Sequence, residues 1–117
     1  MMKRTIFLLL FASTTVFGQV ELKPVLDEKA QDIEKKVIEW RRDFHENPEL
    51  GNEEVRTSRI IAAHLQSLGM EVQEEVAVTG VVGILKGGKE GPTVALRADM
   101  DALPVTERTD VPFKSWG

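Results

Sequence analysis

Two carboxylates close the segment Val94-Ala95-Leu96-Arg97-Ala98-Asp99-Met100-Asp101, and Leu103-Pro104 stops it shortly afterwards. The apolar opening predicts a short buried strand running from Val94 into the charged residues. Strand side chains alternate faces, so Arg97, Asp99 and Asp101 share one side. In open α/β sheets, ligands and catalytic groups gather beyond the carboxyl ends of strands. A strand tip carrying paired carboxylates is therefore a candidate wall of an active site. The plainer alternative is that Arg97 neutralises Asp99 on a solvated edge, an ion pair worth little.

The residues before this segment predict two helices and two earlier strands. Leu26, Ala30, Ile33, Val37, Trp40 and Phe44 recur at helical spacing, which predicts an amphipathic helix over residues 25–46 with an apolar stripe for core packing. Its other face is rich in Glu, Lys and Arg, with Asp32 and Lys36 four apart in the favourable order. Asn47-Pro48 ends the helix, because the residue before proline is pushed out of the α region. A turn follows at Pro48–Asn52, then a second helix from about Glu53 to Leu68. Glu53 and Glu54 suit its first turn, where negative charge faces the helix dipole. Gly69 is placed to close it in the left-handed conformation, with Met70 as the apolar residue after it. Met70–Val76 and Val81–Leu85 read as strands, and the turn around Thr79-Gly80 is too short for a parallel crossover. These two strands are expected to pair antiparallel. Gly87-Gly88 lacks any phosphate-loop spacing and reads as a flexible turn.

Composition narrows the function classes. Lys3 and Arg4, the apolar run Ile6–Phe11 and the small-residue pattern Val16-Phe17-Gly18 have the anatomy of a secretory signal peptide over residues 1–18. The apolar run is short of the ~20 residues that a membrane span needs, so export to the periplasm or exterior is expected rather than a stable membrane span. Cleavage leaves a chain starting at Gln19, and losing Lys3 and Arg4 moves the net charge from −4 to −6. An acidic chain without a basic cluster argues against nucleic acid as a partner. The absence of cysteine excludes disulfides and thiolate metal sites within the chain. The core offered by these elements is thin, and they leave sheet edges uncovered, so the chain reads as part of a larger domain.

Three segments in order resemble one family. They are Trp40-Arg41-Arg42-Asp43-Phe44-His45-Glu46-Asn47-Pro48-Glu49-Leu50-Gly51, then Glu53-Glu54-Val55-Arg56-Thr57, then Leu96–Pro104. Together they resemble the exopeptidase-like metal-dependent amidohydrolases, the aminoacylase and carboxypeptidase group, and above all the branch of hippurate hydrolases and indole-acetic-acid–amino acid hydrolases. The likeness covers residues from about 30 to 114.

The resemblance implies an α/β fold, in which residues 19–117 form the N-terminal portion of a mixed-sheet catalytic domain. It implies a hydrolase of zinc or manganese type that cleaves the amide bond of N-acyl amino acids or related conjugates and assembles as a homo-oligomer. Where the wider group has a His-x-Asp pattern, this chain reads Asp99-Met100-Asp101. Asp99 stands at the place of the metal-binding His, so no ligand role passes to it. Asp101 matches the carboxylate that orients the imidazole, and it is the catalytic-site residue expected in this chain. The family's Cys-Gly-His-Asp motif, its Glu-Glu pair and two later His ligands are not among these residues. As a separate polypeptide the chain is therefore expected to bind no catalytic metal and to be inactive. His45 and His64 are the two imidazoles, without a spacing such as HExxH. His45 is expected to pack or cap the turn at the helix end, and His64 to sit at the surface boundary. The alternative from a different class is a small exported binding module that reuses the fold's first elements.

Overall fold

The computed structural model describes residues 22–116, so the signal-peptide segment 1–18 lies outside the described residues. Two helices precede a β-hairpin: α1 (Leu22–Glu46), α2 (Val55–Ser67), β1 (Glu71–Val76) and β2 (Gly80–Ile84). The chain divides into two units within α1, after Ile33.

In the first unit, residues 22–33 are a helical stretch laced by ion pairs. Lys23 meets Asp27 at 2.5 Å and Lys29 meets Asp32 at 3.2 Å. Asp32 thus takes Lys29 as its partner, where its spacing had pointed to Lys36. Leu26 and Ile33 are exposed. The stripe expected to face a core is not buried here, because a lone helical stretch has no second surface of its own to bury it against.

The second unit holds the rest of α1, the turn, α2 and the hairpin. The Trp40 ring meets the His64 ring edge-on, centroids 4.5 Å apart, and the Lys36 ammonium lies 5.4 Å from the indole centroid. His64 is half-buried by this contact, as its boundary position led one to expect. α1 ends where the sequence stops it. The Asn47 backbone N–H and side-chain amide both donate to the Asp43 carbonyl, at 3.1 and 2.9 Å. Pro48 then forbids a further turn.

α2 begins at Val55, two residues later than expected. Glu54 occupies the N-cap position, but its side chain makes no capping bond there. It is buried instead, at 6% exposure, and accepts a hydrogen bond from the Thr79 hydroxyl at the hairpin tip. That bond, with the Glu54 backbone N–H, holds the Glu54 carboxyl below its ordinary 4.5 against the opposing effect of burial. The far end of α2 closes as its sequence requires. Gly69 takes φ +77°, its N–H donates to the Gln66 carbonyl at 2.9 Å, and Met70 N–H donates to the Leu65 carbonyl at 3.2 Å. These are the paired bonds of a Schellman end. Leu65 and Met70 then flank the hairpin, since a Cβ on Gly83 would lie 3.0 Å from Leu65 Cδ1 and 3.1 Å from Met70 Sδ. Glycine at 83 lets α2 approach the sheet.

β1 and β2 pair antiparallel, Glu71 with Ile84, Val72 with Gly83 and Gln73 with Val82, and the register shifts before Val76 meets Gly80. The tip is tight: Glu75, Ala77 and Val78 all take positive φ, at 57°, 51° and 92°. The β-branched Val78 is the costliest of these in the left-handed region.

The third strand expected from Val94 does not form. Leu96 is 96% exposed, and the segment enters no ladder beyond one parallel bridge between Leu50 and Ala102. A strand needs a neighbour for its N–H and C=O groups, and neither edge of the hairpin receives this one. Among the described residues the chain is thus a small α/β segment, two helices followed by a two-stranded antiparallel hairpin.

Burial is sparse. Ala62 (2%), Thr57 and Glu54 are the buried residues among those described, and no large side chain is fully buried. We expect the chain to unfold with a calorimetric enthalpy far below the ~60–80 kcal/mol typical of a 100-residue domain, and to bind an apolar dye while its helices persist. A sharp, full-sized endotherm without dye binding would contradict this.

Candidate functional site

Glu49 sits where α1 has ended and α2 has yet to start. The first turn of any helix leaves backbone N–H groups without partners. Here the Glu49 carboxylate takes two of them, Arg56 N–H at 2.9 Å and Thr57 N–H at 2.6 Å. The chain can double back because Leu50–Glu53 forms a turn. Glu53 N–H donates to the Leu50 carbonyl at 2.9 Å, with Asn52 at φ +69°, a conformation asparagine tolerates. Burial works to raise the Glu49 carboxyl, but the hydrogen bonds from Arg56 and Thr57, helped by the Arg56 charge, hold it below 4.5. The Arg56 guanidinium reaches further, with Nη2 at 2.7 and 2.9 Å from the two oxygens of Asp43 on α1. The segments 40–51 and 53–57 are thereby joined through charge-assisted hydrogen bonds.

The acidic segment attaches to the same turn. Ala102 N–H donates to the Glu49 carbonyl at 2.7 Å, beside the Leu50–Ala102 bridge. Asp101, one residue earlier, is exposed, with Oδ2 3.8 Å from where a Cβ on Gly51 would stand. Arg97 and Asp99 pair with each other at 2.8 Å, with side chains 88% and 71% exposed. The solvated ion pair weighed for these two is what forms. Asp101 stands outside it, against the Glu49 turn.

The residues after Pro104 fold across the end of α1. His45 Nε2 lies 2.5 Å from Glu107 Oε2, and the Thr109 hydroxyl donates to the other Glu107 oxygen. Phe113 meets the His45 ring edge-on with centroids 5.7 Å apart, and the Arg42 guanidinium covers the Phe113 face at 4.9 Å. The packing role expected of His45 is met by Phe113 and Glu107. Glu107 itself was not singled out from the sequence, since 62 residues separate it from His45 and no local pattern joins them. An open cleft of about 710 Å³ lies alongside, lined by Phe44, His45, Pro48, Leu103, Val105 and Glu107 among others.

Among the described residues, no three His, Asp or Glu side chains are grouped so that they could hold a metal ion. These residues do not by themselves fit a metal centre. No helix among them is long and apolar enough to cross a membrane.

No protein-family model matches the chain. It is similar to thermostable carboxypeptidase 2 of Saccharolobus solfataricus, 52% identical over 97 residues, covering 82% of this chain and 25% of that protein. It is similar to the hippurate hydrolase of Campylobacter jejuni, 48% identical over 84 residues, 72% of this chain and 22% of the relative. An IAA-amino acid hydrolase of Arabidopsis thaliana is 43% identical over 98 residues, 84% of this chain and 22% of the relative. The chain thus spans about a quarter of the length of the curated relatives it matches.

The Thr109 hydroxyl and then His45 draw the Glu107 carboxyl down to about 2. A carboxyl lowered in the folded state favours folding above its unfolded value of 4.5, and that contribution is lost as pH falls from there towards 2. We expect the Glu107 carboxyl to titrate near 2 by NMR in the intact chain, and Thr109→Val to move the midpoint upward. A midpoint near 4.5 in both proteins would contradict the arrangement.

Proposed function

We propose that this chain, which belongs to the amidohydrolase and carboxypeptidase family, is the opening segment of an exported metal-dependent hydrolase. Its substrates are N-acyl amino acids or related conjugates, and the bond cleaved is the amide. The observation that carries this reading is identity of 43–52% over 72–84% of the chain to proteins named carboxypeptidase, hippurate hydrolase and IAA-amino acid hydrolase. The last two names describe substrates in which an acyl group is joined to an amino acid. The basic, apolar and small-residue order of positions 1–18 supports export to the periplasm or exterior, with the catalytic portion starting at Gln19.

Among the described residues no three His, Asp or Glu side chains are grouped as a coordination shell; the divalent ion of zinc or manganese type and its His ligands are assigned to the longer protein. The longer protein assembles as a homo-oligomer. This chain's own part is structural and orienting. Its turn at Glu49–Asn52 holds the acidic segment in place, and Asp101 supplies the carboxylate that fixes a ligating imidazole. Carboxylates behind metal-bound histidines set the tautomer and the ring direction. Taken alone, the chain lacks turnover.

The test uses the longer protein that carries this segment. Asp101→Asn is expected to lower hydrolysis of an N-benzoyl amino acid or its metal affinity by about 10–100-fold. Unchanged activity and metal content would overturn the assignment of Asp101. N-terminal sequencing of the exported product is expected to read from Gln19, and an intact Met1 on exported protein would contradict cleavage.

A further inference from the structure

We infer that Glu49 is a positioning residue for Asp101, coupling the start of α2 to the acidic segment through the two ends of one amino acid. The inference rests on the reading above, in which Asp101 serves the active site.

Glu49 makes two kinds of bond in two directions. Its carboxylate accepts Arg56 N–H and Thr57 N–H at 2.9 and 2.6 Å, which fixes the side chain on the first turn of α2. Its carbonyl accepts Ala102 N–H at 2.7 Å, which fixes the residue next to Asp101. With the side chain anchored and Pro48 restricting the preceding backbone, the carbonyl has little freedom to turn away.

Few other contacts restrain Asp101. Residues 85–101 enter no ladder, and Arg97 and Asp99 spend their charges on each other in solvent. Among the described residues, Ala102 N–H to the Glu49 carbonyl is the one backbone hydrogen bond joining residues 90–110 to an earlier element. Gly51 does not do the work by packing, because a Cβ there would meet Asp101 at an ordinary 3.8 Å. A hydrogen bond, and not a steric wall, sets where Asp101 sits. On the C-terminal side the next tie is His45 to Glu107, six residues from Asp101 and on the end of α1.

Glu49 carries its charge in a mixed field. Arg56 favours ionisation and is itself shared with Asp43, while Glu54 lies near enough for the two carboxylates to repel. Protonating Glu49 removes its grip on α2 first, and the coupling then requires the Ala102 bond to loosen with it. A residue that only capped α2 would leave Ala102 untouched.

The experiment is amide hydrogen exchange by NMR on the 117-residue chain, comparing wild type with Glu49→Gln and correcting for intrinsic rates. A side-chain amide cannot accept both N–H bonds, so Arg56 and Thr57 are expected to exchange faster in the variant. The coupling predicts that Ala102 also exchanges about tenfold faster, the loss of roughly one hydrogen bond, and that the Asp101 side-chain resonances move towards those of a free peptide. In wild type, Ala102 protection should fall as pH drops below 4.5, while the variant's profile stays flat. If Glu49→Gln unfolds α2, the wild-type pH profile alone decides. Ala102 protection independent of pH, or unchanged in a folded variant, would overturn the inference. None of these measurements involves hydrolysis, so their failure would leave the amide-hydrolase reading standing.

Discussion

The unpaired N–H groups at the start of α2 are the constraint from which the site is built. A helix start must find acceptors, and a local Ser, Thr, Asp or Asn at the N-cap normally supplies one. This chain places Glu54 there and then buries that side chain against Thr79, leaving the cap unserved. Glu49 fills the need from the turn behind, seven and eight residues away. Its carboxylate also brings full negative charge to the positive end of the helix dipole. Because the residue belongs to the turn, satisfying the helix also shapes the turn, and the turn's carbonyl receives Ala102.

The remainder of the second unit is held in the same style, by charged and polar bonds more than by apolar burial. Asp43 and Arg56 link α1 to α2, Glu54 and Thr79 link α2 to the hairpin, and His45 and Glu107 link α1 to residues 102–116. Apolar packing enters mainly where Leu65 and Met70 meet Gly83. Of the three polar links, the first two are part-buried and the third is exposed, so they fix which residues meet more than they add stability. The aliphatic side chains that would ordinarily form a core, such as Leu96, Leu103 and Ile84, face outward.

Sequence logic read well where a local rule decided the outcome. Asn47-Pro48 had to stop α1, Gly69 had to close α2, and the short connection at residues 77–79 had to make β1 and β2 antiparallel. The family resemblance was legible from three short segments, and the relatives at 43–52% identity bear it out. What escaped was non-local. The capping role of Glu49 lies beyond the three-residue reach of an ordinary capping box, and the His45–Glu107 contact joins residues 62 positions apart. The Val94 strand was read from its apolar residues, but a strand exists only with a neighbour, and none is supplied among the described residues. The apolar stripe of α1 misled at Leu26 and Ile33, which are exposed, for the same reason: periodicity tells which face is apolar and says nothing of what stands opposite.

The site depends on the meeting of the Glu49 turn with the acidic segment, which is most directly seen as proximity in solution. A nuclear Overhauser effect between the backbone protons of Leu50 and Ala102, recorded on the full chain, measures it. The cross-peak should be present alongside the sequential peaks of α2. A folded α2 with no such cross-peak would contradict the account, since Asp101 would then have no fixed place beside the turn.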